Sequence, residues 1–255
     1  MVRLRVEVNK DLGSLAYHEL EALAELVNGS LVLVDESEYL LIDYYGSAEA
    51  LRNVLCRASL IKRVWIVEDH EHLITDLNRS RYRVLKRGRE KGGSASVDLR
   101  IARLLVNLAR VRDGSVFLDP FIGNGIIAYE ALMLGARVIG VDINNKFLRS
   151  IHNAHMDIAN SDFSLAPIKD GAIDAIATDP PYNRLSIIDI DIDTLYRRFA
   201  EEAYRVLRAG GYLAFSHPTY IGALDWFIST GFKLIGSGLQ RVHGGLTRLI
   251  YVFKK

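Results

Sequence analysis

The chain has 255 residues, of which 49% are hydrophobic and 25% charged, with a single cysteine and a net charge of +1. That composition excludes disorder, collagen and low complexity, and the length suits one large α/β domain or a large domain with a small one. No stretch approaches the roughly 18 uninterrupted apolar residues of a spanning helix, and Met1 to Lys10 alternates apolar with charged residues rather than forming a signal-peptide core. A soluble cytoplasmic protein with no membrane role is expected, and Cys56 has no partner for an internal disulfide or a structural zinc site.

Val2, Leu4, Val6 and Val8 alternate with charged residues and predict a half-buried strand. Ser14 is placed to cap a helix with Ala16, Leu20, Leu23 and Val27 on one stripe, stopped by Asn28-Gly29. Leu31 to Val34 and Tyr39 to Tyr44 read as two strands, Ser47 opens a second helix, and Val64 to Val67 supplies a last strand. The βαββαβ order over residues 1–68 predicts a small ferredoxin-like α+β domain, a scaffold that implies no chemistry by itself.

Residues 69–93 have no sustained period and end in Gly92-Gly93, which predicts an interdomain linker. Charge is uneven along the chain: −7 over residues 1–78, +9 over 79–112 and −1 thereafter. The positive density peaks at Arg79, Arg81, Arg83, Lys86, Arg87, Arg89 and Lys91, a cluster suited either to a polyanion or to a linker charged for solubility. The helix expected after Asp98 carries Ile101, Leu104, Leu105 and Leu108 on one stripe. Arg100, Arg103, Asn107 and Arg110 fall on the other, and these arginines are expected to extend the basic surface.

From Ser115 strands and helices alternate. The strands are Val116 to Asp119, Arg137 to Asp142, Ala172 to Thr178 and Tyr212 to Ser216, with helices from about Gly125, Asn145, Thr194 and Ile221 and closing runs Phe232 to Gly236 and Leu246 to Phe253. Over residues 94–255 this order predicts a mostly parallel seven-stranded sheet of the Rossmann kind, with an antiparallel hairpin at one edge.

The segment Asp119-Pro120-Phe121-Ile122-Gly123-Asn124-Gly125 lies where the first of these strands turns into a helix, the place where an open α/β sheet binds ligands. Asp142, followed by Ile143, ends the next strand, where a carboxylate can bond both hydroxyls of a ribose. Alone, these features serve a dinucleotide or S-adenosylmethionine equally. Asp119 leans towards the latter, because it precedes the glycines where it can meet a ligand ammonium.

Asp179-Pro180-Pro181-Tyr182 ends a later strand, and two consecutive prolines mark a rigid turn. The Asp179 carboxylate and the Pro180 carbonyl can accept both hydrogens of an exocyclic amino group while Tyr182 stacks on its base. Such a nitrogen is a weak nucleophile because its lone pair is delocalised; two fixed acceptors favour a pyramidal nitrogen, and holding it in line with a sulfonium methyl supplies the rest by proximity.

Asp179-Pro-Pro-Tyr182 together with the Asp119 to Gly125 loop resembles the Rossmann-fold amino-methyltransferases. The wider runs "FLDPFIGNGIIAYEALMLGARVIGVDIN", "DLRIARLLVNLAR" and "ATDPPYN" resemble the archaeal and eukaryotic tRNA guanine-N2 methyltransferases that modify the guanosine at position ten. The likeness covers about residues 90–255, and the small N-terminal domain is similar to the ferredoxin-like start of those enzymes. A THUMP domain follows that start in the family; here the linker is expected to run straight into the catalytic domain.

The resemblance implies S-adenosylmethionine as cofactor. Asp119, Gly123 and Gly125 would surround its methionine part, Asp142 its ribose, Asp162 and Phe163 its adenine, and Ser94, Ala95 and Ser96 would close over the methionine end. Asp179 and Tyr182 would hold the target base, with Asn183 and Arg184 at the rim and the basic segment on the phosphates of tRNA or another structured RNA. Some members use a small activating subunit. Alternatives are an amino-methyltransferase of rRNA or DNA and a non-catalytic RNA-binding subunit. No metal site is expected: Asp189, Asp191 and Asp193 read as a pocket lip and helix cap, His152 and His155 as a solvated face, and His217 receives no role.

Overall fold

The computed structural model describes residues 1–9, 12, 14–77, 97–149, 151, 155–182, 191–243 and 246–255. The basic cluster from Arg79 to Lys91, Ser94 to Ser96, Asn183, Arg184, Asp189 and His152 lie outside them.

The N-terminal unit comprises β1 (Val2–Val8), α1 (Leu15–Glu25), β2 (Ser30–Asp35), β3 (Leu40–Tyr45), α2 (Ala48–Leu55), β4 (Ile61–Val67) and β5 (Glu71–Asp76). Its strands pair antiparallel in the order β2-β3-β1-β4-β5. The alternation in β1 works as expected, with Leu4 and Val6 fully buried. Two expectations are corrected. The sheet does not end at residue 68: β5 falls within the segment expected to be linker and pairs with β4 from Val67↔Glu71 to Arg63↔Asp76. Its charged ends hid the strand, yet Glu71 holds the Arg5 guanidinium at 2.8 Å on the neighbouring surface. Ser14 makes no side-chain cap for α1; its hydroxyl donates instead to the Ser237 carbonyl at 2.7 Å, across the boundary to the second unit. Ser47 does cap α2, through the Ala50 amide.

The second unit runs α3 (Leu99–Leu108), β6 (Val116–Asp119), α4 (Ile126–Leu132), β7 (Arg137–Asp142), α5 (Asn145–Leu148), β8 (Met156–Asn160), β9 (Ile173–Thr178), α6 (Ile192–Val206), β10 (Leu207–Pro218), α7 (Leu224–Thr230), β11 (Lys233–His243) and β12 (Leu246–Lys254). Strand order is β11-β12-β10-β9-β6-β7-β8. Strands β6 to β10 pair in parallel, and β12 runs antiparallel to both β10 and β11. The hairpin thus places β12 beside β10, so a residue near the start of β12 comes next to the carboxyl ends of the parallel strands, where Pro218 faces Arg248. An aromatic core of Phe199, Phe215, Phe227 and Phe253 fills the space between the sheet and α6 and α7.

The other face packs α3 and, through it, the N-terminal unit. Here the expected arginine stripe is corrected. Arg103 pairs with the buried Glu130 of α4, Asn107 is wholly buried, and Arg110 bonds Glu25 at 3.1 Å while its guanidinium lies 3.9 Å over the Tyr212 ring. Arg100 is half-buried and its carbonyl accepts from the Ser59 hydroxyl at 2.7 Å. A polar helical stripe meets solvent or a polar neighbour with the same periodicity, and here it meets the neighbour.

At the centre of that contact the Glu19 carboxylate, fully buried, accepts from the Ser59 and Leu60 amides at 2.7 Å each and from Asn107 Nδ2 at 2.8 Å. Arg57 donates to Asn107 Oδ1 at 2.9 Å and to the Val111 carbonyl at 2.8 Å. Burial pushes the Glu19 carboxyl up against these three donors and lowers Arg57 to about 10. Close approach of α1 to β11 depends on Gly236: a Cβ there would lie 2.3 Å from the His18 ring. Among the described residues, no helix is long and apolar enough to cross a membrane.

Candidate active site

Four parallel strands end in a row of acidic groups: Asp119 on β6, Asp142 on β7, Asp162 just beyond β8 and Asp179 just beyond β9. The sheet brings together residues far apart in sequence, because every carboxyl strand end of a doubly wound sheet opens on the same side.

Asp119 is 1% exposed; its Oδ1 accepts from Thr178 Oγ1 at 2.7 Å and from the Phe121 amide at 3.3 Å. Burial raises its pKa to about 7, the two hydrogen bonds oppose that rise, and the charges of Asp142 and Asp179 add to it. Pro120 is buried and Phe121 packs its ring edgewise on Phe199 at 5.2 Å, so this part of the loop is anchored in the aromatic core. Gly125, at φ +79°, is the residue that turns the loop into α4; a side chain there would be strained in the left-handed region. Asn124 Oδ1 accepts from the Ile126 amide at 3.3 Å.

Asp142 is held by backbone: Oδ2 accepts from the Gly123 amide at 2.9 Å and Oδ1 from the Asn144 amide at 2.7 Å. Each oxygen retains acceptor capacity, as a grip on vicinal hydroxyls requires. Asn160 Nδ2 fixes the following turn by donating to the Asp142 and Ile143 carbonyls, both at 2.9 Å, and Ile143 is left 40% exposed. Asp162 caps a short 3-10 turn, accepting from the Ser164 amide and hydroxyl at 2.9 Å. The Phe163 ring is 4% exposed, packed between Phe121 and Phe199.

Asp179 accepts from the Ser216 hydroxyl, and the Arg248 guanidinium lies 3.8 Å from its other oxygen. Burial lifts the carboxyl to about 6, while Arg248 and Ser216 pull it down. Pro180 is buried and Pro181 half-buried. Tyr182 is held at both ends: its carbonyl accepts from the Tyr220 hydroxyl at 3.1 Å, and its own hydroxyl accepts from Arg248 at 2.9 Å. Behind the turn lie Tyr196 and His217, both fully buried. Burial lowers His217 to about 4, and its Nδ1 lies 2.9 Å from the Pro218 carbonyl. A neutral ring donating there leaves Nε2 as a bare acceptor; Nε2, the Tyr196 hydroxyl and Arg248 Nε are buried with no hydrogen-bond partner among the described residues.

Sequence reasoning missed Thr178, Tyr196, Ser216, Tyr220 and Arg248. For Arg248 a signal existed: it stands in phase with Ile250 and Val252, both fully buried, so a charged residue occupies the inward register of a strand. Asp191, read as a helix cap, accepts from the Thr194 amide at 2.9 Å at the start of α6.

A seven-stranded sheet in this order, with acidic groups at its carboxyl ends and an Asp-Pro-Pro-Tyr turn beside a glycine loop, defines a Rossmann-type methyltransferase domain. The family described as "RMKL-like, methyltransferase domain" matches residues 86–249, and the chain belongs to it. The chain is 37% identical over 164 residues to the tRNA (guanine(10)-N2)-dimethyltransferase of Pyrococcus abyssi, covering 61% of this chain and 49% of that protein. It is 33% identical over 167 residues to the enzyme of the same name from Methanothermobacter thermautotrophicus, covering 63% and 49%. The chain therefore spans about half the length of these curated relatives. A crystal structure of TrmN from Thermus thermophilus shares the fold over 100% of both chains, with a TM-score of 0.55 and 17% identity.

Proposed function

We propose that this protein is an S-adenosylmethionine-dependent RNA methyltransferase that modifies the N2 amino group of a guanosine in tRNA, position ten being the expected target. The observation that carries the reading is the placement of the Asp179-Pro-Pro-Tyr182 turn next to the Asp119 to Gly125 loop, on the same edge of the sheet. The names of the tRNA-modifying relatives support the substrate.

The donor set suits the cofactor. Asp119 is a buried carboxylate with one oxygen outside its two protein bonds, matched to an ammonium, and Asp142 is preset for a ribose. Three clustered carboxylates favour a ligand with net positive charge. When bound, S-adenosylmethionine supplies an electrophilic methyl group on a sulfonium sulfur.

Asp179, ionised above about pH 6, accepts one N2 hydrogen and the Pro180 carbonyl the other, while the fixed Tyr182 ring orients the base. Asp179 is also placed to receive the proton that the amine sheds on methylation. A guanine inside a stem must first leave its stack at a cost of a few kcal/mol. The basic segment Arg79 to Lys91 is proposed to supply the phosphate contacts that offset this cost. Arg103, by contrast, is committed to Glu130.

Purified protein with labelled cofactor and, separately, unmodified tRNA, rRNA fragments and duplex DNA tests the reading by nucleoside mass spectrometry. N2-methylguanosine in tRNA is the expected product. Asp179→Ala should lower turnover on the order of 10²- to 10³-fold, the scale of losing one preorganised polar partner of a reacting group, with cofactor binding retained. Label confined to another nucleic acid, or none with cofactor bound, overturns it.

A further inference from the structure

The Asp-Pro-Pro-Tyr turn is held from outside its own strand, and the residue that does so is Arg248. It enters from β12, the antiparallel strand of the edge hairpin, opposite Pro218 on β10 and Gln240 on β11. Arg248 is 4% exposed. One terminal nitrogen donates to the Tyr182 hydroxyl at 2.9 Å and lies 3.8 Å from the Asp179 carboxylate, and its carbon stands 5.6 Å over the Tyr182 ring. A buried guanidinium is costly unless paired, yet among the described residues Nε has no partner, and Gln240 Oε1, across the ladder, is equally unpartnered. The polar contacts of the group lie at its terminal nitrogen, on Tyr182 and Asp179.

Resting on the methyltransferase reading above, we propose that Arg248 is the positioning residue of this site. It holds the Tyr182 ring by its hydroxyl and keeps Asp179 an ionised acceptor for the amino group. Among the described residues, the titratable or charged groups around Asp179 are Asp119 from β6, Tyr196 from α6, His217 of β10, Tyr182 and Tyr220 at the turn and Arg248 from β12. Among them Arg248 alone brings a positive charge near neutral pH, since burial keeps His217 neutral. Because Arg248 donates to the Tyr182 oxygen, the hydrogen of that phenol points elsewhere, and the ring has one preferred orientation instead of a free rotor. The hairpin at the sheet edge is thus part of the site, although it contributes nothing to the cofactor loop.

The test uses the full chain with Arg248→Met and Arg248→Lys. Carbon-13 labelling of aspartate follows the Asp179 titration by NMR without turnover, with Asp179→Asn assigning the signal. In Arg248→Met the Asp179 midpoint is expected to rise by about one pH unit, the lower end of what a neighbouring cation supplies. Methyl transfer should then fall further at pH 6 than at pH 8. Arg248→Lys keeps the charge and should hold the midpoint near wild type, yet it loses the Tyr182 bond and is expected to slow kcat about tenfold through a less fixed ring. An unchanged midpoint in Arg248→Met, or wild-type kcat in Arg248→Lys, overturns the proposal; if Arg248→Met does not fold, the lysine variant still decides it. A wild type that methylates no RNA defeats the functional reading alone, because the titration continues to judge Arg248.

Discussion

The molecule contains two buried clusters built from the same chemistry, a carboxylate near a guanidinium with hydroxyl or amide groups between. Around Glu19 and Arg57, at the contact between the two units, both Glu19 oxygens, both Asn107 side-chain atoms and two Arg57 nitrogens are hydrogen-bonded within the protein. Around Asp179 and Arg248, behind the Asp-Pro-Pro-Tyr turn, the Tyr196 hydroxyl, His217 Nε2 and Arg248 Nε are left without a partner among the described residues. Burial costs the same in either place. The closed cluster recovers that cost within the protein and serves as a structural joint. The open one recovers less of it among the described residues.

Removing Glu19 should break the closed cluster most severely. Glu19→Ala leaves the Ser59 and Leu60 amides buried with nothing to accept from them and Asn107 Nδ2 with the Arg57 carbonyl alone, a loss of about 3 kcal/mol at the usual cost of unsatisfied buried donors. Urea denaturation measures it, and the methyltransferase activity per folded molecule should stay within about twofold of wild type. A loss below about 1 kcal/mol would mean that the amides find other partners and that the two clusters do not differ in kind.

Asp119 is the strained member on the site side. Its carboxyl ionises at about 7 in the folded chain against 3.8 for the free side chain. The folded state therefore binds that proton more tightly across the window, and stability falls as pH rises from about 4 to about 7. Asp119→Asn keeps an acceptor for Thr178 and removes the charge. Its apoprotein should be more stable than wild type by about 2 kcal/mol at pH 8, with the gap closing towards pH 4, while cofactor affinity drops. Parallel stability curves over that range would show that the site carries no such strain.

What could be read from the residues in order divides along the same line. Asp119 to Gly125 and Asp179 to Tyr182 are short contiguous motifs, so their chemistry is local and visible, and the alternation of β1 or the stripe of α3 reports burial directly. The partners of those motifs come from other strands: Ser216 from β10 and Arg248 from β12 reach Asp179 only because the topology inserts β12 beside β10. Asn107 and Arg103 were read as solvent-facing because helical periodicity separates apolar from polar and says nothing about what the polar side meets. β5 escaped notice since a six-residue strand with charged ends carries almost no periodic signal.

The smallest expected effect is the sharpest test of the difference between the clusters. Tyr196 is fully buried and its hydroxyl has no partner among the described residues, so Tyr196→Phe deletes a group that already bears its desolvation cost and keeps the ring that packs on Phe199 and Phe215. Stability should be unchanged or raised by up to about 1 kcal/mol, because removing an unsatisfied polar atom forfeits no bond. The corresponding removal in the closed cluster, Asn107→Ala, would forfeit several bonds. If the hydroxyl is reserved for a ligand, the same variant should raise the KM for RNA a few fold while kcat holds. A stability loss beyond about 1 kcal/mol would place the hydroxyl in a bond within the resting protein, and the site cluster would then be as closed as the joint.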